Sequence, residues 1–266
     1  MKVLTTGWLG IAPALALLFV AAACSDNNAG RVSFSVTSRS GVAGAASVSS
    51  VAIAPELVAG QACSALLVPA PAGTTDELCI TSAALILKKV ELKRIETATC
   101  DAIPDNEDCD EFETGSVFVS LPLTSTQVSA DIAITNAPPG MYDRLEFEIH
   151  KPDGSEVVQG LPQDFPAGVS IRVQGTFNGT AFDYQTDLDA EQEVRLATPL
   201  DIAAGVTKNV SLSVDISGWF KNSSATALVN PNTANKGQPN ESVVANNIKN
   251  SFEGFEDDDH DGLADK

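Results

Sequence analysis

Near its C-terminal end the sequence reads Asp257-Asp258-Asp259-His260-Asp261-Gly262-Leu263-Ala264-Asp265. Carboxylates at Asp257, Asp259, Asp261 and Asp265 fall at positions 1, 3, 5 and 9 of a loop whose sixth position is Gly262. Alternate acids on a turning backbone point their oxygens inward, and glycine permits the sharp bend. Hard divalent cations take oxygen ligands in this way, so the chemistry is calcium binding. The competing reading is a solvated acidic tail. His260 falls between the ligands and is expected to face solvent. The sequence reaches position 10 at Lys266, so tight binding is expected to need a carboxylate from another segment.

A second chemistry belongs to cysteine. Met1-Lys2 is followed by an uncharged run from Val3 to Ala23, then by Cys24 and the polar residues Ser25-Asp26-Asn27-Asn28. A positive start, an apolar middle and small residues before a cleavage point make a secretory signal peptide. Ala21-Ala22-Ala23-Cys24 resembles the lipobox of bacterial lipoproteins, with Ala21 where leucine is usual. The resemblance implies cleavage before Cys24, acylation of its thiol, and a protein held to a membrane by diacylglycerol. Ser25 after the cysteine implies the outer membrane. The rival readings are an uncleaved anchor or an ordinary signal peptide with an incidental cysteine.

Four further cysteines remain, Cys63, Cys79, Cys100 and Cys109. An even number in an exported chain reads as disulfides, and four allow three pairings. Nearest-neighbour pairing, Cys63–Cys79 and Cys100–Cys109, closes two short loops and is favoured. Cysteine ligation of zinc is disfavoured, since neither pair has Cys-x-x-Cys spacing.

Composition narrows the classes. The 266 residues hold 35 acidic and 16 basic side chains, a net charge of −19. Removing residues 1–23 takes away only Lys2 among the charges and lowers that value by one. Such a chain repels phosphate backbones, so nucleic acid is not an expected partner. Membrane attachment would rest on the lipid, because the charge gives no attraction to anionic headgroups.

The elements that must position these residues are strands. Val32, Phe34 and Val36 alternate with polar residues after a tether over residues 24–30. A flexible insertion, rich in Ser, Ala and Gly, is expected near residues 38–79. Leu85 and Leu87 share one parity and Val90 and Leu92 the other. A β-bulge at Lys88-Lys89 would keep all four on one face. The acidic run Cys100–Glu113 reads as a stapled solvated loop. Alternating runs follow at 117–123, 132–134 and 145–149. Two more flank Asn178-Gly179, a pair that favours a tight hairpin turn, and the last are at 194–196 and 210–216. Val244, Ile248, Phe252 and Phe255 lie four, four and three apart, one face of a short helix. The expected architecture is all-β: an antiparallel sandwich of roughly nine strands over residues 31–220. A loop, the helix and the acidic segment then occupy 221–266.

Ala137-Pro138-Pro139-Gly140-Met141-Tyr142 resembles the turn-into-strand of transthyretin-like sandwiches. Together with Ile80–Ile95 and Asn247-Ile248-Lys249-Asn250-Ser251-Phe252, it is similar to an uncharacterised group of bacterial lipoproteins carrying a β-sandwich domain. The likeness spans about residues 80–265 and implies location and fold, with no catalytic residue.

The acidic loop also resembles thrombospondin type 3 repeats and the first part of dockerin and EF-hand loops. An EF-hand places its bidentate glutamate at position 12.

No enzyme is read from the sequence. It holds two histidines, His150 and His260, and His150 at a strand end reads as a surface residue. Trp219-Phe220 reads as a core plug, with a sugar-stacking platform as the rival. The expected role is an exported binding or structural module with an envelope protein or glycan as partner. One alternative is an adhesin or fimbria-like subunit that assembles by strand addition, with Ser38–Ala62 as the exchanged segment. The other is an envelope hydrolase built on two carboxylates.

Overall fold

The computed structural model describes residues 29–39, 63, 66–95, 114–123 and 131–265. Cys24, Cys100, Cys109, the acidic run 101–113 and most of the expected insertion lie outside the described residues. Among those described, eleven strands form two sheets. Nine match the alternating runs of the sequence, and Leu66–Val68 (β2) and Phe252–Glu256 (β11) are the additions.

The first sheet has the order β11-β10-β1-β5, where β1 is Gly30–Arg39, β5 is Asp131–Ala137 and β10 is Thr207–Asp215. All strand pairs are antiparallel except β1 with β10, which runs parallel from Arg31 opposite Thr207 to Arg39 opposite Asp215. Val32, Phe34, Val36, Val210, Leu212 and Val214 fill the core side. The other face is also buried, but it is polar: Ser33, Ser35, Thr37, Asn209, Ser211 and Ser213.

The second sheet is built on Leu78–Arg94 (β3), which pairs with four strands. The amide of Ile86 donates to Ser170 and its carbonyl accepts from His150. Both groups of one strand residue point to the same edge. Ile171–Phe177 (β7) and Gly140–Ile149 (β6) therefore meet end to end along that edge. β2 and Val117–Ser120 (β4) take the opposite edge. Thr180–Thr186 (β8) extends the sheet beyond β7, and Ala190–Ile202 (β9) beyond β6.

The bulge falls where the parity switch places it. Lys89 has φ 53° and the β3–β6 register shifts between Lys88 and Glu91. Leu85, Leu87, Val90 and Leu92 are all buried as a result. Thr114 satisfies the displaced amides, its carbonyl accepting from Lys89 and its hydroxyl from Val90. Asn178 and Gly179 both take positive φ, 49° and 75°, as a type I′ hairpin turn between β7 and β8 requires. Gly175 is required by close approach, since a Cβ there would collide with the Cys79 carbonyl of β3. Cys79 is disulfide-bonded to Cys63, with Cα atoms 5.6 Å apart.

The sheets meet through β11. Phe252 packs edge-on against Phe147 of β6, with ring centroids 5.0 Å apart. Gly254 leaves room for Leu196, Val194 and Leu145. This corrects the helical reading of Val244, Ile248, Phe252 and Phe255. The helix α1 spans Glu241–Lys249 and buries only Val244 and Ile248, while Phe252 and Phe255 belong to β11. Spacings of four and three suit one helix face, but Asn250 and Ser251 intervene and β10 offers a free edge.

Trp219 and Phe220 are wholly buried, so they plug the core and offer no sugar platform. The Trp219 indole N–H donates to Ser251 at 2.8 Å, and Asn247 donates to the carbonyls of Trp219 and Lys221. Tyr142 is buried with its hydroxyl on the Pro138 carbonyl at 2.7 Å. That closes the Pro-Pro-Gly-x-Tyr turn much as a tyrosine corner does in other sandwiches. No helix among the described residues is long and apolar enough to cross a membrane.

Candidate metal centre

The acidic loop grows directly out of the first sheet. Asp257 continues the β10–β11 pairing by one step, its amide donating to Asn209 at 3.0 Å. That register turns its side chain onto the polar outer face of the sheet. There its carboxylate accepts the Ser211 hydroxyl at 2.6 Å, and Ser211 in turn lies 2.6 Å from the Ser35 hydroxyl. Asn209 donates to the Asp257 carbonyl at 2.8 Å. Asp257 is fully buried.

Two short Asx turns and one longer side-chain bond shape the loop that follows. Asp259 accepts from the amide of Asp261, Asp261 from that of Leu263, and Asp257 from that of Gly262 at 3.1 Å. His260 and Gly262 carry positive φ, 58° and 79°, and so bend the chain back over the sheet. Oxygens of Asp257, Asp259 and Asp261 come within 4.8 Å of one another.

Asp265, the fourth expected ligand, does not join them. Its carboxylate accepts the Asp258 amide at 2.7 Å while its own amide donates to the Glu256 carbonyl at 3.0 Å. Asp258 lies past the last strand pairing, and Asp265 closes the loop by supplying its missing acceptor. Asp258 faces the other way and pairs with Lys208 at 2.6 Å, as Glu256 also does. Burial raises the Asp258 carboxyl, but bonds from Lys208 and the Asn209 amide outweigh that and hold it below its ordinary range. Bonds to Asp258 and Glu256 push the Lys208 ammonium above its ordinary value. This cation is thereby committed to acids outside the cluster.

A second group was not visible as a site in the sequence. His150 is buried, at 8 % exposure, and does not stand on the surface as a strand-end histidine would. Glu148 approaches its Nδ1 at 3.1 Å, and Glu156 its Nε2 at 2.6 Å. Glu156 comes from the loop between β6 and β7, and that loop is what covers the ring. Its other oxygen accepts the Ser116 hydroxyl and lies 3.4 Å from the Lys88 ammonium. Burial raises the Glu156 carboxyl, but the bonds from Ser116 and His150 prevail and hold it down to about 2. The clue in the sequence was Glu148-x-His150, two chemistry-bearing residues on one strand face. Nothing linear marked Glu156.

On the outer face of the second sheet, Glu91, Glu146, Glu148, Glu191 and Glu193 border an open pocket of about 320 Å³ with Lys89. Lys93 pairs with two of these acids, Glu91 at 2.9 Å and Glu146 at 3.2 Å. Comparison of the chain with protein-family models, with curated proteins and with solved structures finds no match in any of the three.

Proposed function

We propose that this chain is an exported β-sandwich of the bacterial cell envelope, lipid-anchored at Cys24 to the outer membrane. It serves as a binding or structural module, not as an enzyme, and calcium clasps its C-terminal loop. The observation that carries the calcium is the convergence of Asp257, Asp259 and Asp261, with Asp257 buried and Lys208 engaged elsewhere. Carboxylates this close repel one another by several kcal/mol, on the order of 4 kcal/mol for a pair at 4 Å near a protein surface. An oxygen-seeking divalent ion removes that cost. Asp257 extends β11 and bonds to Ser211 of β10, so an ion held there fastens the last strand to its sheet.

The anchor and the location rest on Lys2, the apolar run, Ala21–Cys24 and Ser25. The partners are the membrane, through the lipid, and an envelope protein or glycan on the exposed sheet surface. Calorimetric titration with Ca²⁺ tests the clasp: heat evolves with the native chain and is absent from an Asp259→Ala, Asp261→Ala variant. Equal heats from both would refute it. Labelled palmitate entering the protein in its host, and failing to enter a Cys24→Ser variant, tests the anchor.

A further inference from the structure

The geometry points to a second cation site, independent of the acidic loop, in which His150, Glu148 and Asp189 bind a divalent metal of the zinc class. Leu145, Phe147 and Ile149 face the core, which puts Glu148 and His150 together on the outer face of β6. The β6–β9 register pairs Glu148 with Glu191 and Ile149 with Ala190, and one further step brings Asp189 beside His150. Ligand atoms of Glu148, His150 and Asp189 all lie within 4.8 Å of one another.

Glu156 fixes the ring. Its carboxylate approaches Nε2 at 2.6 Å, and Glu148 approaches Nδ1 at 3.1 Å, so Nδ1 is the ring nitrogen on the side of the carboxylate cluster. Nitrogen and oxygen ligands of one tetrahedral zinc ion, each at roughly 2.0–2.2 Å, lie about 3.4 Å apart, within a few tenths of an ångström of that separation. Imidazole with carboxylates suits zinc and its neighbours. A carboxylate on the far ring nitrogen, here Glu156, is the usual partner of a metal-bound histidine. Asp189 is exposed, so water can complete the coordination.

The test is titration of the mature protein with Zn²⁺ by calorimetry and with Co²⁺ by visible absorption, in excess Ca²⁺ to fill the acidic loop. ¹⁵N NMR of the histidine rings is recorded alongside. Expected are one Zn²⁺ per chain, ligand-field bands with Co²⁺, and a shift of the His150 Nδ1 signal. Affinity should fall at least tenfold in Asp189→Asn, an exposed change that leaves the fold intact, and in Glu148→Gln. It should be unchanged in the Asp259→Ala, Asp261→Ala variant. Two results would overturn the site. One is a His150 ring carrying N–H on both nitrogens and unmoved by Zn²⁺. The other is binding that survives both Asp189→Asn and Glu148→Gln.

Discussion

The acidic loop at Asp257 and the cluster at His150 assemble carboxylates in opposite ways. The first is nearly contiguous: three ligands within five residues, steered by Asx turns and seated on the adjoining strand β10 through bonds to Lys208, Asn209 and Ser211. The second draws on β6, the β8–β9 connection and the loop after β6, with Ser116 and Lys88 holding Glu156 from two further segments. A contiguous loop depends on its sheet only through the one strand beside it, so its geometry survives modest change elsewhere. A dispersed cluster exists only while every contributing segment is in register. The difference predicts that the two will respond separately to ions, and unequally to damage in the core.

The severest way to break that separation is through the packing both sheets share. Phe252→Ala removes the ring that joins β11 to Phe147 and should cost about 3–5 kcal/mol, as core aromatic truncations do. Guanidinium unfolding measures it, and the variant should also lose its calcium response because β11 sets the position of Asp257. Next, Ca²⁺ at a hundred times its dissociation constant should stabilise the native chain by about 2.7 kcal/mol. Thermal unfolding with and without chelator reads this, and Asp259→Ala, Asp261→Ala should show none of it. Ser116→Ala should cost about 1.5–3 kcal/mol by removing a hydrogen bond to a charged group, with the calcium response intact. A calcium response lost in that variant would show the two regions to be one unit.

The smallest effect lies outside both. Arg172 grips Asp183 through two bonds of 2.9 and 2.8 Å across the β7–β8 hairpin. The bonds from Arg172 hold the Asp183 carboxyl below its ordinary 3.8. A depressed carboxyl stabilises the fold above its unfolded value and loses that contribution as pH falls through the folded one. Asp183→Asn should therefore cost under about 1 kcal/mol at neutral pH, the range for an exposed pair. The gap between variant and native chain should close as the medium is acidified below 3.8. Urea titrations at several pH values follow it.

Much of the second sheet was legible because its signals are local. The parity switch around Lys88-Lys89 demanded a bulge, and Asn178-Gly179 demanded a turn with two positive φ angles. Phe252 and Phe255 misled because a spacing of three cannot distinguish a helix turn from a strand that crosses the core at Gly254. His150 misled for another reason. Its strand parity is right for an outward face, and only the loop bearing Glu156 decides that the outward face is covered. The polar outer face of the first sheet was equally hidden, since Ser33, Ser35, Asn209 and Ser211 alternate as solvent-facing residues would.

By itself the sequence determined nine of the eleven described strands, the principal turns, the buried parity of most of those nine and the linear acidic loop. These depend on backbone preference and on neighbours within a few residues. Tertiary structure alone decided that β1 lies parallel to β10, that β11 joins the sandwich, that Asp265 closes the loop and does not enter the carboxylate cluster, and that Glu156 meets His150. Each of these pairs residues distant in the chain or chooses among several acceptors within reach. Such choices are settled by which surfaces can be buried together with their polar groups satisfied, a condition imposed by the whole fold and written in no single stretch.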